Sequence, residues 1–473
     1  MNHKKCSLGL IRIYLLFAVA LTLAVPASAE WKEKVLYSFQ GGANDGAFPV
    51  GGVVFDAQGN LYGVLQDYGP GSCAPIGNEC GAVFQLTPPV NQGGPWTETL
   101  IYKFGGKEAN DGESPNGGLI IDSLGNLFGV TAYGGTGDCI LLGVRAGCGT
   151  VYKLSPPKQK GEAWTETILY SFPTARQGYV PNGNLVFDGA GNLYGATVFG
   201  GSKGTTCDAF YGGQCGTVFE LSPPKTKGGK WTEKVLHAFA GIAAGKQYGD
   251  GASPNGGLVL DGKGAIYGTT EFGGNGNDVC NGGNGFDGCG IVFALSAPAR
   301  QHASWSENVL HRFNGRPNDG SGPQVGVVLG RGGELCGTTI GGGSHEDGVV
   351  FKLVPPVQKG NNWKENLIHV FTGADDGQGP WAGLIQGPNN SFYGTAGGTP
   401  SRGGLIFRLK AAASSSGGAW VFDVLYDFTG SPNGYDPLEL NLGKGGVIFG
   451  VTLYGGSGQS CQGGCGTVFR AAP

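Results

Sequence analysis

The hydrophobic residues of this chain fall in short runs, which segments rich in glycine, proline and asparagine separate. Runs such as Val35–Phe39 and Thr217–Leu221 are rich in β-branched and aromatic residues, which is typical of β strands. Between runs, Asp56–Asn60 reads Asp-x-x-Gly-Asn, in which Gly or Asn can take the positive φ of a tight hairpin. Proline pairs such as Pro88-Pro89 end a run, because proline cannot donate to a strand ladder. The pattern therefore predicts an all-β fold of many short strands.

The strands belong to a repeat that occurs seven times. Each copy contains a Trp that opens it, a Phe eight residues later, Gly-x-x-Pro, and variants of Gly-Gly-Leu-Ile-x-Asp, Asn-Leu-Tyr-Gly-x-Thr and Gly-Thr-Val-Phe-x-Leu. The opening residues are Trp31, Trp96, Trp164, Trp231, Trp305, Trp363 and Trp420. Four strands repeated seven times predict a single seven-bladed β-propeller over residues 30–473. A parallel β-helix would have far shorter coils, and a separate domain of about 60 residues so rich in glycine would bury too little apolar surface.

The order of strands within a copy indicates how the ring closes. The hairpin around Asp-x-x-Gly-Asn resembles the inner hairpin of NHL-type propeller blades, which implies that the strand before it is the innermost strand A. Strands B and C follow, and the strand that begins at the repeat Trp is then the outer strand D. The chain thus has a D strand near Trp31–Phe39 without a blade and a last blade, near Leu438–Arg470, without a D strand. Pairing the two closes the ring and removes open sheet edges.

The copies also resemble the GloVer-type (Gloeobacter/Verrucomicrobia) tandem repeat of secreted bacterial proteins. The resemblance rests on Leu-Tyr-x-Phe, Asn-Leu-Tyr-Gly-x-Thr and Gly-Thr-Val-Phe, which recur together over nearly all of residues 31–470. It implies a secreted or surface protein and no particular activity, so it assigns no functional residues to this chain.

The N-terminus reads as a secretory signal peptide over residues 1–29. Basic residues at Lys4, Lys5 and Arg12 accompany the apolar run Ile13–Val25, and Ala27-Ser28-Ala29 matches the small-residue cleavage pattern. An uncleaved anchor is the alternative, but the run is short for a membrane span and no second long run follows. We therefore expect an extracellular or periplasmic protein with no membrane insertion after cleavage.

Composition restricts the partners. The chain carries 31 basic and 35 acidic residues, a formal net charge of −4, and no Lys/Arg cluster stands out. This charge pattern disfavours nucleic acid and anionic membranes as partners. We expect a monomer that binds a glycan or a protein.

Twelve cysteines are present, and ten form local pairs in the loops between strands B and C. The pairs are Cys73/Cys80, Cys139/Cys148, Cys207/Cys215, Cys280/Cys289 and Cys461/Cys465. Copies five and six have short B–C loops and lack them, which favours disulfides that staple long loops in an oxidising compartment. Zinc is the alternative, but no His accompanies any pair. Cys336 replaces a core Tyr of the repeat, so we expect a buried and inert thiol.

Two residue sets are candidates for ligand binding. An acid recurs in Asp-Gly-x-x-Pro between blades, at Asp45, Asp111, Asp250, Asp319 and Asp376. An aromatic residue opens the long B–C loops, at Tyr68, Tyr133, Phe199, Phe272 and Tyr454. The acids are either turn residues or a ring that binds Ca²⁺ or sugar hydroxyls, and the aromatics either pack under their loops or stack on sugars. In propeller geometry both sets lie on the face where D–A and B–C loops emerge.

No motif of a known catalytic class is present. His237, His311 and His369 take the slot that Tyr takes in the other copies, and neither a nucleophile elbow nor His-Glu-x-x-His occurs. The sequence identifies no catalytic residue, no metal ligand and no cofactor, with Ca²⁺ left open at the acids. We therefore interpret the protein as a binding module for glycan or cell-surface polymer. The alternatives are a polysaccharide lyase or hydrolase, for which copy five with Cys336, His345 and Glu346 is the candidate, and a protein-interaction scaffold.

Overall fold

The computed structural model describes residues 30–473 with gaps. The gaps are residues 68–72, 74–79, 92, 142, 160, 202–206, 208–213, 243–247, 276–279, 281–287, 299–303, 359, 399–401 and 413–418. The proposed signal peptide and Tyr68 lie outside the described residues. Within them, no helix is long and apolar enough to cross a membrane.

The structure confirms a seven-bladed β-propeller of four-stranded blades. The chain enters through β1 (Lys32–Ser38). Blade one contains β2 (Ala47–Phe55), β3 (Leu61–Asp67), β4 (Ala82–Thr87) and β5 (Thr97–Lys103). Blade two contains β6 (Gly112–Pro115), β7 (Ile120–Ile121), β8 (Leu127–Gly134), β11 (Thr150–Ser155) and β12 (Thr165–Ser171), with the loop hairpin β9 (Ile140–Leu141) and β10 (Val144–Arg145). Blade three contains β13 (Tyr179–Phe187), β14 (Leu193–Phe199), β15 (Thr217–Ser222) and β16 (Thr232–Ala238).

The remaining blades follow the same order. Blade four contains β17 (Val259–Leu260), β18 (Ile266–Thr270), β19 (Ile291–Ser296) and β20 (Ser306–Arg312). Blade five contains β22 (Val328–Leu329), β23 (Leu335–Thr339), β25 (Val349–Val354) and β26 (Lys364–Val370), with the small pair β21 (Gly320–Ser321) and β24 (Gly341–Gly342). Blade six contains β27 (Ile385–Gln386), β28 (Phe392–Ala396), β29 (Leu405–Ala411) and β30 (Trp420–Asp427). Blade seven contains β31 (Tyr435–Leu442), β32 (Ile448–Tyr454) and β33 (Thr467–Ala472), and short 3-10 turns occur at Lys107–Ala109, Pro388–Asn390 and Lys444–Gly446.

The ring closes as predicted. Strand β1 pairs antiparallel with β33, from Lys32 opposite Ala472 to Ser38 opposite Thr467, and so supplies the outer strand of blade seven. The sheet order β1-β33-β32-β31 matches the D-C-B-A order of the other blades. Closure therefore depends on contacts between the two ends of the chain.

The core lies between the faces of neighbouring blades. Each repeat Phe is buried, as Phe172 and Phe239 show at 0% exposure. Phe172 of blade two packs edge-on against Phe219 of blade three, with ring centroids 5.2 Å apart. The hairpins between strands A and B are held as the sequence predicts, since the Asp56 carboxylate accepts hydrogen bonds from the backbone N–H groups of Gln58 and Asn60, both at 2.9 Å.

Candidate functional site

The residues at one position of the repeat, one from each blade, surround the propeller axis. The residue after the repeat proline of each Gly-x-x-Pro segment reaches a common cavity of about 210 Å³. The seven residues, one from each blade, are Val50, Asn116, Asn182, Asn255, Gln324, Trp381 and Leu438. We call this space the mouth cavity. It lies on the face of the D–A turns, because these residues directly follow those turns.

Glycines allow the inner strands to approach the axis this closely. Gly117 and Gly183 have φ of 80° and 76°, a region that favours glycine. A Cβ on Gly117 would lie 2.6 Å from the backbone oxygen of Gly183, and one on Gly183 would lie 2.8 Å from the backbone of Gly256. Adjacent blades therefore touch through bare backbone here, which leaves only the flanking side chains to line the cavity.

A polar contact lies below the mouth cavity. Asn184 and Glu439 extend from opposite sides of the ring, where most other blades have glycine, and the Asn184 amide donates to Glu439 Oε2 at 3.1 Å. The Asn184 carbonyl oxygen accepts a hydrogen bond from the Gly118 N–H. Burial raises the pKa of Glu439 above its usual value, although the Asn184 and Gly52 donors oppose the rise. Glu439 lines the mouth cavity and also a second cavity of about 210 Å³, which Asn184 and Asn441 line with it.

Blades three to five give one side of the mouth a hydrogen-bonded polar arc. The Asn182 amide donates to Asn255 Oδ1 at 2.5 Å, and the Asn255 amide donates to Glu271 Oε2 at 2.9 Å. Gln324 donates to the other oxygen of Glu271 at 2.7 Å. Burial raises the pKa of Glu271, and the two amide donors partly offset the rise. The arc therefore holds a desolvated carboxyl in place between fixed amides.

Blades six, seven and one give the opposite side of the mouth an apolar surface. Trp381 is 54% exposed, and Val50 and Leu438 line the cavity beside it. An exposed indole beside a fixed set of amide and carboxyl groups provides a stacking surface and hydrogen-bonding groups in one concave site. That combination suits a ligand with an apolar face and a hydroxylated rim.

A further cavity, of about 300 Å³, opens between blades four and five. Glu271, Arg316 and Glu346 line it, so Glu271 contributes to this cavity and also bonds the polar arc of the mouth. Arg316 Nε donates to Glu346 Oε1 at 2.9 Å. Two carboxyl groups thus share one cavity, of which Glu271 is half-buried and Glu346 is half-exposed and paired with a cation.

The predicted acids lie in the D–A turns, where each bonds its own blade. The Asp45 carboxylate accepts from the Tyr37 hydroxyl at 2.7 Å and from the Gln40 N–H at 2.5 Å. Asp111 is held by Tyr102 and the Gly105 N–H in the same way, at 2.9 and 2.8 Å. The same turn contains Asp250, Asp319 and Asp376, which have His in place of Tyr as partner. These contacts order the turns that precede the mouth, and binding of Ca²⁺ or sugar by the acids remains a prediction.

The described loop aromatics are half-buried beside the D–A turns. Phe199 packs against Tyr179 with ring centroids 5.2 Å apart, and Tyr454 packs against Phe48 at 5.6 Å. Tyr133 and Phe272 are likewise half-buried, against the hydrophobic clusters of blades two to four. Ligand stacking by these rings remains a prediction, as it does for Tyr68.

The five predicted disulfides are present. They join Cys73 to Cys80, Cys139 to Cys148, Cys207 to Cys215, Cys280 to Cys289 and Cys461 to Cys465. Their Cα–Cα distances run from 5.0 to 5.3 Å, which suits an S–S bridge. The pairing predicted from the sequence is therefore confirmed.

The second cysteine of each pair directly precedes strand C, as the sequence indicates, and is buried. Cys80, Cys148 and Cys289 are only 4%, 0% and 1% exposed, and each packs in a hydrophobic cluster between blades. The physical reason is that each directly precedes the glycine that opens strand C, so its side chain already lies at the blade interface. These three cysteines are thus core residues that anchor one end of the loop, and none of them lines the mouth cavity.

The same cysteines receive the turn of the next blade. The backbone oxygen of Cys80 accepts a hydrogen bond from the Ser114 N–H at 3.0 Å, and that of Cys148 accepts one from Val180 at 3.3 Å. Equivalent bonds run from Gly322 to Cys289 at 2.9 Å, from Ser253 to Cys215 at 2.8 Å and from Phe48 to Cys465 at 2.9 Å. The disulfides therefore hold the loop ends against which the neighbouring D–A turns rest.

The three candidate residues of copy five lie in different surroundings. Cys336 is fully buried in β23, as predicted, and packs in a hydrophobic cluster. Burial raises the pKa of its thiol to about 12. His345 forms a hydrogen bond with the Ser344 hydroxyl at 2.9 Å on the surface. Glu346 lines the cavity between blades four and five, and catalysis by copy five remains a prediction.

Sequence reasoning missed the mouth residues, although signals for them exist. The position after the repeat proline is variable although the proline itself is constant, and Trp381 is the one tryptophan of eight that does not open a copy. A variable slot in a constant repeat marks a position that packing does not dictate. Glu271 stands directly before the predicted aromatic Phe272, and this position next to a candidate residue is its only signal in the sequence.

Comparison with known proteins identifies the repeat family. A family model described as the Gloeobacter/Verrucomicrobia repeat matches residues 24–205, 78–284, 140–362 and 279–473. No curated protein sequence matches. Among solved structures, polysaccharide lyase Uly1 is similar at 11% identity and a TM-score of 0.48, over 93% of this chain and 98% of that one.

Two further propeller structures are similar at comparable levels. A PL25 ulvan lyase bound to -[GlcA(1-4)Rha3S]- has 9% identity and a TM-score of 0.46, over 92% of this chain and 95% of that one. A Trichoderma reesei carbohydrate-active enzyme of family AA12 has 12% identity and a TM-score of 0.43, over 94% and 96%. At these identities and TM-scores, the activities of those proteins do not carry over to this chain.

Proposed function

The chain belongs to the Gloeobacter/Verrucomicrobia repeat family, and we propose that it is an exported propeller that binds glycan at its mouth cavity. The single observation that supports this function is the two-sided mouth, with exposed Trp381 on one side and the Asn255–Glu271–Gln324 arc on the other. A pyranose ring presents an apolar face for an indole and hydroxyls for amides and a carboxyl group. Five disulfides suit export to an oxidising compartment.

The rigidity of the site favours recognition of a preformed shape. The polar arc is already hydrogen-bonded within the protein, and the stapled B–C loops support the D–A turns beside it. Binding therefore orders few side chains, which lowers its entropic cost. At about 210 Å³ the mouth is smaller than the ~300–1,000 Å³ of typical ligand pockets, so it suits one sugar unit, such as a chain end.

The test is affinity electrophoresis of the protein against a panel of soluble polysaccharides, followed by titration calorimetry with the retarding polymer. Trp381→Ala should lower the affinity at least tenfold, because it removes the stacking surface and leaves the fold intact at an exposed position. Tyr248→Ala is the matched control, since Tyr248 is equally exposed, at 55%, and does not line the mouth. No retardation by any polymer, or equal loss in both variants, would contradict the proposal and leave a protein partner as the better hypothesis.

A second candidate function is glycan cleavage in the cavity between blades four and five. The observation that favours it is the pair of carboxyl groups there: Glu271 is half-buried with a raised pKa, and Glu346 is paired with Arg316. A carboxyl group with a raised pKa can act as general acid while a second, ionised one acts as base or nucleophile. Reducing-end or unsaturated-product formation from the retarding polymer, abolished in Glu271→Gln, would establish cleavage. Binding without product would leave the binding function alone.

A further inference from the structure

The outer strands of neighbouring blades meet in a contact that recurs around the ring. The residue six positions after the repeat Trp lies against the D–A turn that follows it, which has Asp in five copies, and in six copies against a Glu of the next outer strand. In four copies that residue is Tyr, and its hydroxyl satisfies one neighbour directly: Tyr37 donates to Asp45 at 2.7 Å, and Tyr170 donates to Glu233 at 3.4 Å. Tyr37 and Tyr102 are thus neutral donors between two carboxyl groups, whereas the turns after the other two tyrosines have Gln177 and Asn433 in place of Asp.

In two copies the same contact becomes a His–Asp–Glu triad. One triad is His237, Asp250 and Glu307, between blades three and four, and the other is His311, Asp319 and Glu365, between blades four and five. In each, the imidazole nitrogen and one oxygen of each carboxylate lie within 4.8 Å of one another. These are the two such groups in the part of the chain that the structure describes.

The spacing of the ligand atoms matches a tetrahedral metal site. His237 Nε2 lies 3.3 Å from Asp250 Oδ2, and His311 Nε2 lies 3.3 Å from Asp319 Oδ2 and 3.5 Å from Glu365 Oε1. Ligands at about 2.0–2.1 Å from Zn²⁺ in a tetrahedron are about 3.3 Å apart. Charge-assisted hydrogen bonds between the same groups would normally be shorter, at about 2.7–2.9 Å.

Buried ligand atoms without hydrogen bonds supply an independent observation. His237 Nε2, Glu307 Oε1 and Glu365 Oε1 are buried and form no hydrogen bond to any described residue. The equivalent Glu oxygens of the Tyr-containing copies are also unpaired, so the unpaired imidazole nitrogen of His237 is the feature that is particular to a triad. A buried polar atom left without a partner is costly, so such atoms usually indicate a group that completes the site. A cation bound between the three side chains would satisfy all of them together.

Blade five provides a contrast within the same molecule. His369 contacts Asp376 at 3.1 Å, but the next outer strand has Phe422 where other blades have Glu. The Phe422 ring stacks on His369 with centroids 3.9 Å apart. The third ligand is therefore absent here and the imidazole is covered by an apolar ring.

We propose that the His237–Asp250–Glu307 and His311–Asp319–Glu365 triads each bind one divalent transition-metal cation between blades, with Zn²⁺ as the fitting ion. Each triad supplies one imidazole nitrogen and two carboxylate oxygens, which leaves a fourth position for water. The ligands come from two adjacent blades, so the cation joins outer strands that otherwise contact only through side chains. The proposal is independent of glycan binding at the mouth.

The test is isothermal titration of ZnCl₂ into protein treated with EDTA and dialysed into a buffer that does not chelate, with metal content checked by mass spectrometry. Two equivalents should bind, and the melting temperature should rise with Zn²⁺ because the ion binds the folded ring. His237→Tyr and His311→Tyr should each reduce the stoichiometry by one. Both variants should fold, since Tyr occupies this slot in four other blades.

His369→Tyr is the matched control and should leave two equivalents. Co²⁺ substitution should give the visible absorption of a tetrahedral nitrogen and oxygen site, and His311→Tyr should reduce it by about half or more. Absence of binding at micromolar Zn²⁺ would overturn the proposal and show that each His is an imidazolium bridging two carboxylates. A stoichiometry that the His237 and His311 substitutions leave unchanged would overturn it equally.

Discussion

Closure of the ring by the N-terminal strand can be tested with one pair of equivalent substitutions. Phe39 follows β1, and Phe172 takes the same slot in blade two. Both are 0% exposed, and each packs edge-on against a Phe of the next blade, Phe39 on Phe84 and Phe172 on Phe219, with ring centroids 5.2 Å apart in both cases. If β1 completes blade seven, Phe39→Ala and Phe172→Ala should destabilise the protein equally.

The magnitude follows from the burial of the ring. Replacing a fully buried Phe by Ala costs about 3–5 kcal/mol through lost burial and the cavity that remains. Unfolding entropy of roughly 2.1 cal/mol/K per residue gives about 1.0 kcal/mol/K for a chain of this length, so a loss of ~4 kcal/mol lowers the melting temperature by about 4 °C. Differential scanning calorimetry of the oxidised protein measures this shift directly.

The control is Leu124→Ala, because Leu124 is 78% exposed in an A–B hairpin. It should change stability by less than about 0.5 kcal/mol. The closure would be refuted if Phe39→Ala behaved like Leu124→Ala while Phe172→Ala gave the full shift, since Phe39 would then lie on an unattached arm. A null result for Phe172→Ala as well would refute the reasoning about the repeat core itself.

Three further predictions concern the repeat contacts. Burial raises the pKa of Glu98 to about 8 and of Glu166 to about 7 from 4.5, so folding favours the protonated carboxyls. That stabilisation is complete below 4.5 and is lost as the pH rises through 7 to 8, so the melting temperature should fall over this range, and Glu166→Gln should flatten the slope. Gly183→Ala should lower the melting temperature by several degrees, because its Cβ would meet the backbone of Gly256 at 2.8 Å; Gly189→Ala, with open space around the Cβ, is the control. The Cys336 thiol should not react with Ellman's reagent until the protein unfolds, and stoichiometric labelling of the native protein would contradict its burial.

The fold could be predicted because each copy contains the local sequence signals for its own strands and turns. Alternating apolar residues define the strands, and Asp-x-x-Gly-Asn and Pro-Pro define the turns within about sixty residues. The number of copies then sets the number of blades, and the unpaired strands at the two ends indicate closure. The local Cys pairs could be read in the same way, because both partners are nine or fewer residues apart. The burial of Cys80, Cys148 and Cys289 could not be predicted from the local sequence, because it depends on the neighbouring blade that covers them.

The sites depend on contacts that no single copy contains. Trp381 and Gln324 meet Asn255 only because closure of the ring brings the inner strands of all blades to one axis. The His–Asp–Glu triads likewise join a D strand to the D strand of the next blade, at sequence separations that differ from the spacing of metal-binding motifs. Side-chain periodicity and turn chemistry are short-range properties, so the sequence alone determines the strands, the blades and the stapled loops. Which side chains converge depends on distances across the ring, and these are set only when the blades pack against one another.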